Sequence, residues 1–250
     1  MGGPVSCVWD EGFANPAFAA TQPAPNASAR VQTTDFDNGS KITSTQIHYV
    51  LPLRENSSGL QFSYFNLQAD PGRIMLQGFP VADMSEEDIS VHYGARLGSR
   101  LTAGIGLSPM SEITLNLAIP QGPTLMDIET ESDYGARLGL AYELAPGDYF
   151  GVVYDYYQET AEGTGLALGG MARRVFHTDL LAVGASRHLR PDLLVAAEYQ
   201  TTSTNDGDLK ESLHGWHLGL EYQPEGATAV RAGLNDEHFT FGLGYYTEKW

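Results

Sequence analysis

Apolar and polar residues alternate one by one along most of this chain, in segments of roughly ten residues, the length of a membrane-crossing strand. In Ile89-Ser90-Val91-His92-Tyr93-Gly94-Ala95-Arg96-Leu97 every odd position is apolar and every even one is polar or Gly. From Tyr134 to Leu144 the even positions form the apolar face. Trp216, Leu218, Leu220 and Tyr222 alternate with Gly215, His217, Gly219 and Glu221, and Phe239, Phe241, Leu243 and Tyr245 with Thr240, Gly242, Gly244 and Tyr246. Period two sends successive side chains to opposite faces of a strand. Helical period is nearly absent, and the pattern predicts an all-β chain.

A sandwich in water would alternate too, so the character of each face matters. The second face carries Gly, Ser, Thr, His and a few Arg and Glu, which suits a crowded polar interior better than a solvated surface. The apolar faces often end in aromatics: Tyr93, Tyr142, Tyr154, Tyr156, Tyr199, Trp216, Tyr222 and Tyr245. Aromatic girdles are expected where membrane barrels meet water. Connection lengths agree. Tight turns fall near Arg54 to Ser58, Gly98-Ser99, Ala145-Pro146-Gly147, His188 to Asp192 and Pro224-Glu225-Gly226. Longer polar loops at about 69–87, 119–132, 158–173 and 201–211 alternate with them, as in outer-membrane barrels.

The expected fold is therefore an antiparallel transmembrane β-barrel of about 12 strands, with about 14 as the alternative count. The strands are placed near 29–36, 42–53, 59–68, 88–97, 100–118, 133–144, 148–158, 174–187, 193–201, 211–222, 227–235 and 238–248, with a small hairpin arm at 73–78. Residues 1–28, rich in Gly, Pro, Ala and Asn, form an N-terminal plug segment, and 29–250 the barrel. An even count with short turns on one side puts both ends at the periplasmic face. Trp250 resembles a barrel's terminal aromatic but sits on the wrong parity for the face of Phe239 to Tyr245.

Charge narrows the function classes. Asp plus Glu number 31 against 14 Lys plus Arg, a formal net charge of −17. That argues against sequence-independent nucleic-acid binding, which relies on Lys and Arg displacing counterions. The one Cys, Cys7, makes no intrachain disulfide and reads as an inert thiol. No apolar run approaches the ~18 residues of a membrane helix. No secretory signal precedes the first motif. Taken alone that favours a soluble protein; the fold signals favour a chain that begins after its signal.

The chain opens MGGPVSCVWDEGFANPAFAA, an ordered set of Met1-Gly2-Gly3, Asp10-Glu11 and Asn15-Pro16-Ala17. Leu51-Pro52-Leu53 precedes a turn and a Gly-led strand, and Arg231-Ala232-Gly233-Leu234 precedes the strand at Phe239. This set resembles the long-chain fatty-acid transporter (FadL-like) superfamily of outer-membrane β-barrels, including PorV-type barrels, the shuttle barrels of type IX secretion. The resemblance implies an N-terminal plug built from Gly2, Gly3, Asp10, Glu11, Asn15, Pro16 and Ala17, and Gram-negative outer-membrane location. It also implies that Met-Gly-Gly lies a little inside the mature chain. Family members often have more strands and longer chains, so no ligand-binding residue is carried over. In physical terms Gly2 and Gly3 permit close backbone approach, and Asn15 before Pro16 favours a turn.

No catalytic constellation is present: no Gly-x-Ser-x-Gly elbow, no Walker loop. Asn205-Asp206-Gly207-Asp208 lacks the ligand spacing of a calcium loop and reads as a polar turn, so neither metal nor cofactor is expected. Strand parity directs His48, His92, Arg96, Arg137, Glu143, Asp155, Glu198, His217, Glu221 and Arg231 inward. These either guide a polar or anionic solute or bind plug to wall, for instance Arg137 or Arg231 to Asp10 or Glu11. Two functions fit. One is a passive channel for small hydrophobic or amphipathic molecules, with a lateral opening where Ser108-Pro109-Met110-Ser111 interrupts the fifth strand. The other is a non-transporting barrel that anchors or presents a partner protein through its long extracellular loops. The expected partners are outer-membrane lipid and, in the first case, a hydrophobic small molecule.

Overall fold

The computed structural model describes residues 15–35, 41–54, 57–70, 75–76, 79–118, 124–164, 172–207, 210–224, 228–235 and 238–245. Expectations for Met1, Gly2, Gly3, Cys7, Asp10, Glu11, Asp208, Tyr246 and Trp250 fall outside these residues.

A 3-10 turn, Pro16–Thr21, comes first. The strands are β1 (Asn26–Asp35), β2 (Lys41–Arg54), β3 (Ser58–Asp70), β4 (Met75–Leu76), β5 (Phe79–Arg96), β6 (Leu101–Ala118) and β7 (Thr124–Ala145). They continue as β8 (Asp148–Thr164), β9 (Ala172–Arg190), β10 (Leu193–Asn205), β11 (Lys210–Tyr222), β12 (Thr228–Asn235) and β13 (His238–Tyr245). All but β4 follow one antiparallel path in sequence order, the meander of an up-and-down barrel. Among the described residues no ladder joins β1 to β13.

The strands reach beyond the expected limits. β5 starts at Phe79 rather than near 88, β7 at Thr124 rather than near 133, and β8 runs to Thr164 rather than 158. The loops expected over 69–87, 119–132 and 158–173 are therefore largely ladder. In these extensions polar residues occupy both faces, so hydrophobic alternation fades while backbone pairing persists. Cross-strand polar contacts hold them, such as Ser85 to Thr114 at 2.6 Å and Arg173 to Glu162 at 3.5 Å. The expected hairpin arm at 73–78 takes the form of β4, which pairs with Phe79 and Pro80 at the start of β5.

The two faces of the sheet are inverted relative to a protein folded in water. Leu138, Leu140, Tyr142 and Leu144 on β7, and Trp216, Leu218, Leu220 and Tyr222 on β11, are exposed. Gln61, Ser63, Ser90, His92, Thr102, Asp155, Ser186 and Glu198, on the opposite parity, are buried. An apolar exterior around a polar interior suits a hydrocarbon surround and is unfavourable in water. No described helix is long and apolar enough to cross a membrane.

The short-turn end is laced together. Gly147 takes φ +82°, a left-handed conformation that lets β7 reverse into β8. The Asp148 carboxylate accepts from the His188 backbone N–H at 2.7 Å, tying that turn to its neighbour. Backbone N–H groups of Arg96, Glu143 and Gln223 donate to the carbonyls of Ser57, Arg100 and Asp192, each at 2.8 Å. The even path brings the start of β1 and the end of β13 to this same end.

Candidate functional site

Three stacked rows of inward residues build the best-defined part of the inner face. The first is glycine. Register puts Gly59 opposite Gly94, Gly94 opposite Gly104, and Gly104 opposite Gly139, on β3, β5, β6 and β7. Missing side chains on four neighbouring strands leave a recess near the short-turn end, and the 3-10 turn fills it. A Cβ on Gly94 would lie 2.7 Å from the Pro16 carbonyl oxygen, and one on Gly104 would lie 2.6 Å from that oxygen. On Gly59 it would overlap the Ala19 carbonyl oxygen. Here glycine is required for close approach of two backbones.

The turn is fixed by its own chemistry. Asn15 caps it: Oδ1 accepts from the Ala17 N–H at 3.0 Å, and Nδ2 donates to the Leu140 carbonyl on β7 at 3.0 Å. Pro16 sits at the first helical position, where its missing N–H costs nothing. Thr21 Oγ1 donates to the Phe18 carbonyl at 2.9 Å. Phe18 packs edge-on against Tyr149, ring centroids 5.2 Å apart, and beside Ala141. Asn15, Pro16 and Phe18 to Ala20 are buried, as is Ala17 at 0% exposure.

The second row, one step toward the long loops, reads Gln61, His92, Gly106, Arg137, Asp155 across β3, β5, β6, β7 and β8. Arg137 and Asp155 form a fork: Nε to Oδ1 at 2.6 Å and Nη2 to Oδ2 at 2.7 Å, with Nη2 also donating to Tyr157 Oη at 2.9 Å. The planar guanidinium satisfies both carboxylate oxygens, as a half-buried pair requires. His92 is 1% exposed. Its Cδ2–Nε2 edge lies against Gly106, where a Cβ would meet Nε2 at 2.9 Å. Nδ1, on the other edge, has no hydrogen-bond partner. The third row holds His48, Ser63 and Ser90. Ser63 Oγ lies 3.2 Å from His48 Nδ1 and accepts from Gln61 Nε2 at 3.2 Å.

The ten inward candidates do not form one site. His48, His92, Arg137 and Asp155 belong to these rows. Arg96 and Glu143 approach to 4.0 Å near the short-turn end. Glu198 and His217 face each other between β10 and β11, and Glu221 accepts from Arg231 at 2.7 Å. Arg137 and Arg231 thus find carboxylates on the wall itself. Gln61, Ser63, Tyr157 and the glycine row were absent from the sequence candidates, because only cross-strand register brings them together. The expected polar turn at Asn205 is observed: the Gly207 N–H donates to Asn205 Oδ1 at 2.8 Å, and Asp206 pairs with Arg174 at 2.5 Å. Among the described residues no group of His, Cys, Asp and Glu is arranged to hold a metal ion.

The ladders of the described residues shift register at several places, one of them beside Pro109. β6 runs through it, so the expected interruption is local. Ser108 pairs with Gly135 and Glu112 with Glu131 in one unshifted β6–β7 register, while the β5–β6 ladder slips between Ile89 and Val91. Pro lacks the N–H that would continue the ladder. An apolar depression of about 590 Å³ lies on the outward surface over β9 to β13, among Ala185, Ala197, Leu218, Ala232 and Leu234, away from the polar rows.

The chain matches no family model and no curated protein sequence. Its fold is that of known channels. The Ralstonia pickettii toluene transporter TbuX superposes with a TM-score of 0.63 at 15% identity, over 100% of this chain and 87% of that one. The Pseudomonas putida toluene transporter TodX gives 0.60 at 14%, over 99% and 87%. The monoaromatic hydrocarbon channel CymD gives 0.56 at 14%, over 94% and 83%. The likeness covers nearly the whole of this chain and includes its β-barrel architecture.

Proposed function

We propose that this protein is an outer-membrane channel through which small hydrophobic or amphipathic molecules pass passively. The observation that carries the reading is the inverted sheet closed at its short-turn end by a buried turn. The exterior is apolar and exposed, the interior polar and enclosed, and Asn15 to Ala20 fill the glycine recess. Residues 1–28 are the plug and 29–250 the barrel on this reading, and the short-turn end faces the periplasm. The fold shared with transporters named for toluene and monoaromatic hydrocarbons supports an apolar solute. The β5–β6 ladder slips beside Pro109, which has no N–H to donate, and on this reading that weakened seam is the side exit.

The test is uptake of a radiolabelled monoaromatic by Gram-negative cells that lack their own hydrophobic channels. The wild-type protein should raise the initial rate. Pro109→Thr, which restores a ladder donor, should lower that rate while heat-modifiable migration shows a folded barrel. A barrel that folds and leaves uptake at the empty-vector rate contradicts transport.

A further inference from the structure

The apolar depression over β9 to β13, about 590 Å³, has a cause in side-chain size. Ala185 of β9 lies opposite Ala197 of β10, and Ala197 opposite Leu218 of β11. In the next outward row toward the short turns, Arg187 faces Val195, Val195 faces Leu220, and Leu220 faces Ala232 of β12. Small residues at 185, 197 and 232 among larger ones leave a hollow between ridges. The hollow also slopes. Phe150, the partner of Ala185, sits beside the start of β8 at Asp148. In the same ladder row Phe239 of β13 is well short of that strand's end at Tyr245. The row therefore leaves the short-turn end on β8 and rises up the wall by β13, the slant that tilted barrel strands impose.

Arg187 stands at the low end of that slope and is the charged residue among those that line the hollow. It is exposed, and among the described residues it makes no ion pair or hydrogen bond through its side chain. Asp148 is near enough for the two charges to interact, but its carboxylate accepts from the His188 N–H instead. Arg190, closer to the turn, is engaged with Asp192 at 3.2 Å and lies 6.0 Å from the centre of the Tyr222 ring. A guanidinium on the outward face of a membrane wall calls for an anion at the surface. Its planar fork matches a phosphate.

We propose that the hollow binds an anionic phospholipid of the leaflet at the short-turn end. Its phosphate meets Arg187 at the membrane surface, and one acyl chain follows the hollow upward past Ala197, Leu218 and Ala232. A zwitterionic phospholipid presents the same phosphate, but its ammonium cancels the net charge. A second copy of this chain docking by the same patch would bring another Arg187 into the contact and no carboxylate to meet it. The site needs the barrel in a bilayer and holds whether or not solutes cross the lumen, so it goes beyond the channel reading.

Purified protein in detergent should be offered equimolar phosphatidylglycerol and phosphatidylcholine with the same acyl chains, and the retained lipid counted by native mass spectrometry. Phosphatidylglycerol should be retained about fivefold more, ~1 kcal/mol for one basic residue at the surface. Arg187→Gln should bring the two lipids within about twofold, ~0.4 kcal/mol. Ala197→Leu with Ala232→Leu fills the hollow and leaves Arg187 in place; it should lower the retention of both lipids. Heat-modifiable migration checks that each variant is a folded barrel. Equal retention by the wild-type protein, a preference that survives Arg187→Gln, or retention unchanged by filling the hollow overturns the proposal. So does a dimer that disappears when the hollow is filled, because a second copy then sits where the lipid should.

Discussion

The side chain of Asn15 occupies the space that a Cβ on Gly139 would need, and Pro16 Cδ lies 2.6 Å from that same point. Turn and wall therefore specify each other. Gly139→Leu should expel the turn without preventing the strands from pairing, because the clash lies only at the inner surface. The expected result is faster proteolysis before Asn26 and a larger leak to small solutes. Gly98, with nothing within 4 Å of its Cβ position, is the control, and Gly98→Ala should change neither.

Asn15→Ala removes an acceptor for the Ala17 N–H and a donor to the Leu140 carbonyl. Loss of a helical cap costs roughly 0.5–2 kcal/mol. Hydrogen exchange over residues 16–21 should accelerate accordingly, while exchange in β10 and β11 stays unchanged.

Asp155→Ala leaves Arg137 half-buried with its fork unmatched. Breaking such a pair from one side costs about 3–5 kcal/mol. The temperature at which the folded band disappears on heat-modifiable gels should fall clearly. Replacing both residues, Arg137→Met with Asp155→Leu, should recover much of that loss, since the cost lies in the stranded charge.

Leu218 lies on the outward face and is 45% exposed. Leu218→Arg should destabilise folding into bilayers by roughly 2–4 kcal/mol if the residue sits at mid-depth. Spin labels at Tyr134, Leu138, Leu140, Trp216, Leu218, Phe241 and Leu243 should report lipid. Broadening of these labels by a water-soluble reagent would refute the register.

The sequence made the membrane-facing half of each strand legible and left most of the inner face obscure. In β11 the outward residues Trp216, Leu218, Leu220 and Tyr222 are large and apolar, so period two stands out. In the first part of β5, Ser85, Glu86, Glu87 and Asp88 are polar on both faces, so the pattern is lost although the ladder continues. Arg137 and Asp155 are each recognisable as inward residues, but their pairing depends on the β7–β8 register. The glycine recess is harder still. Gly59, Gly94, Gly104 and Gly139 become one feature only when three successive registers are known. Asn15-Pro16-Ala17 was readable as a turn from local chemistry alone.

The most direct test of the channel reading is the energy dependence of monoaromatic entry across a lipopolysaccharide-containing outer membrane. Initial rates should rise with the amount of folded barrel, stay linear with solute concentration and be unaffected by a protonophore. Rates that match cells without the protein, or that collapse when the proton gradient is removed, would contradict a passive channel.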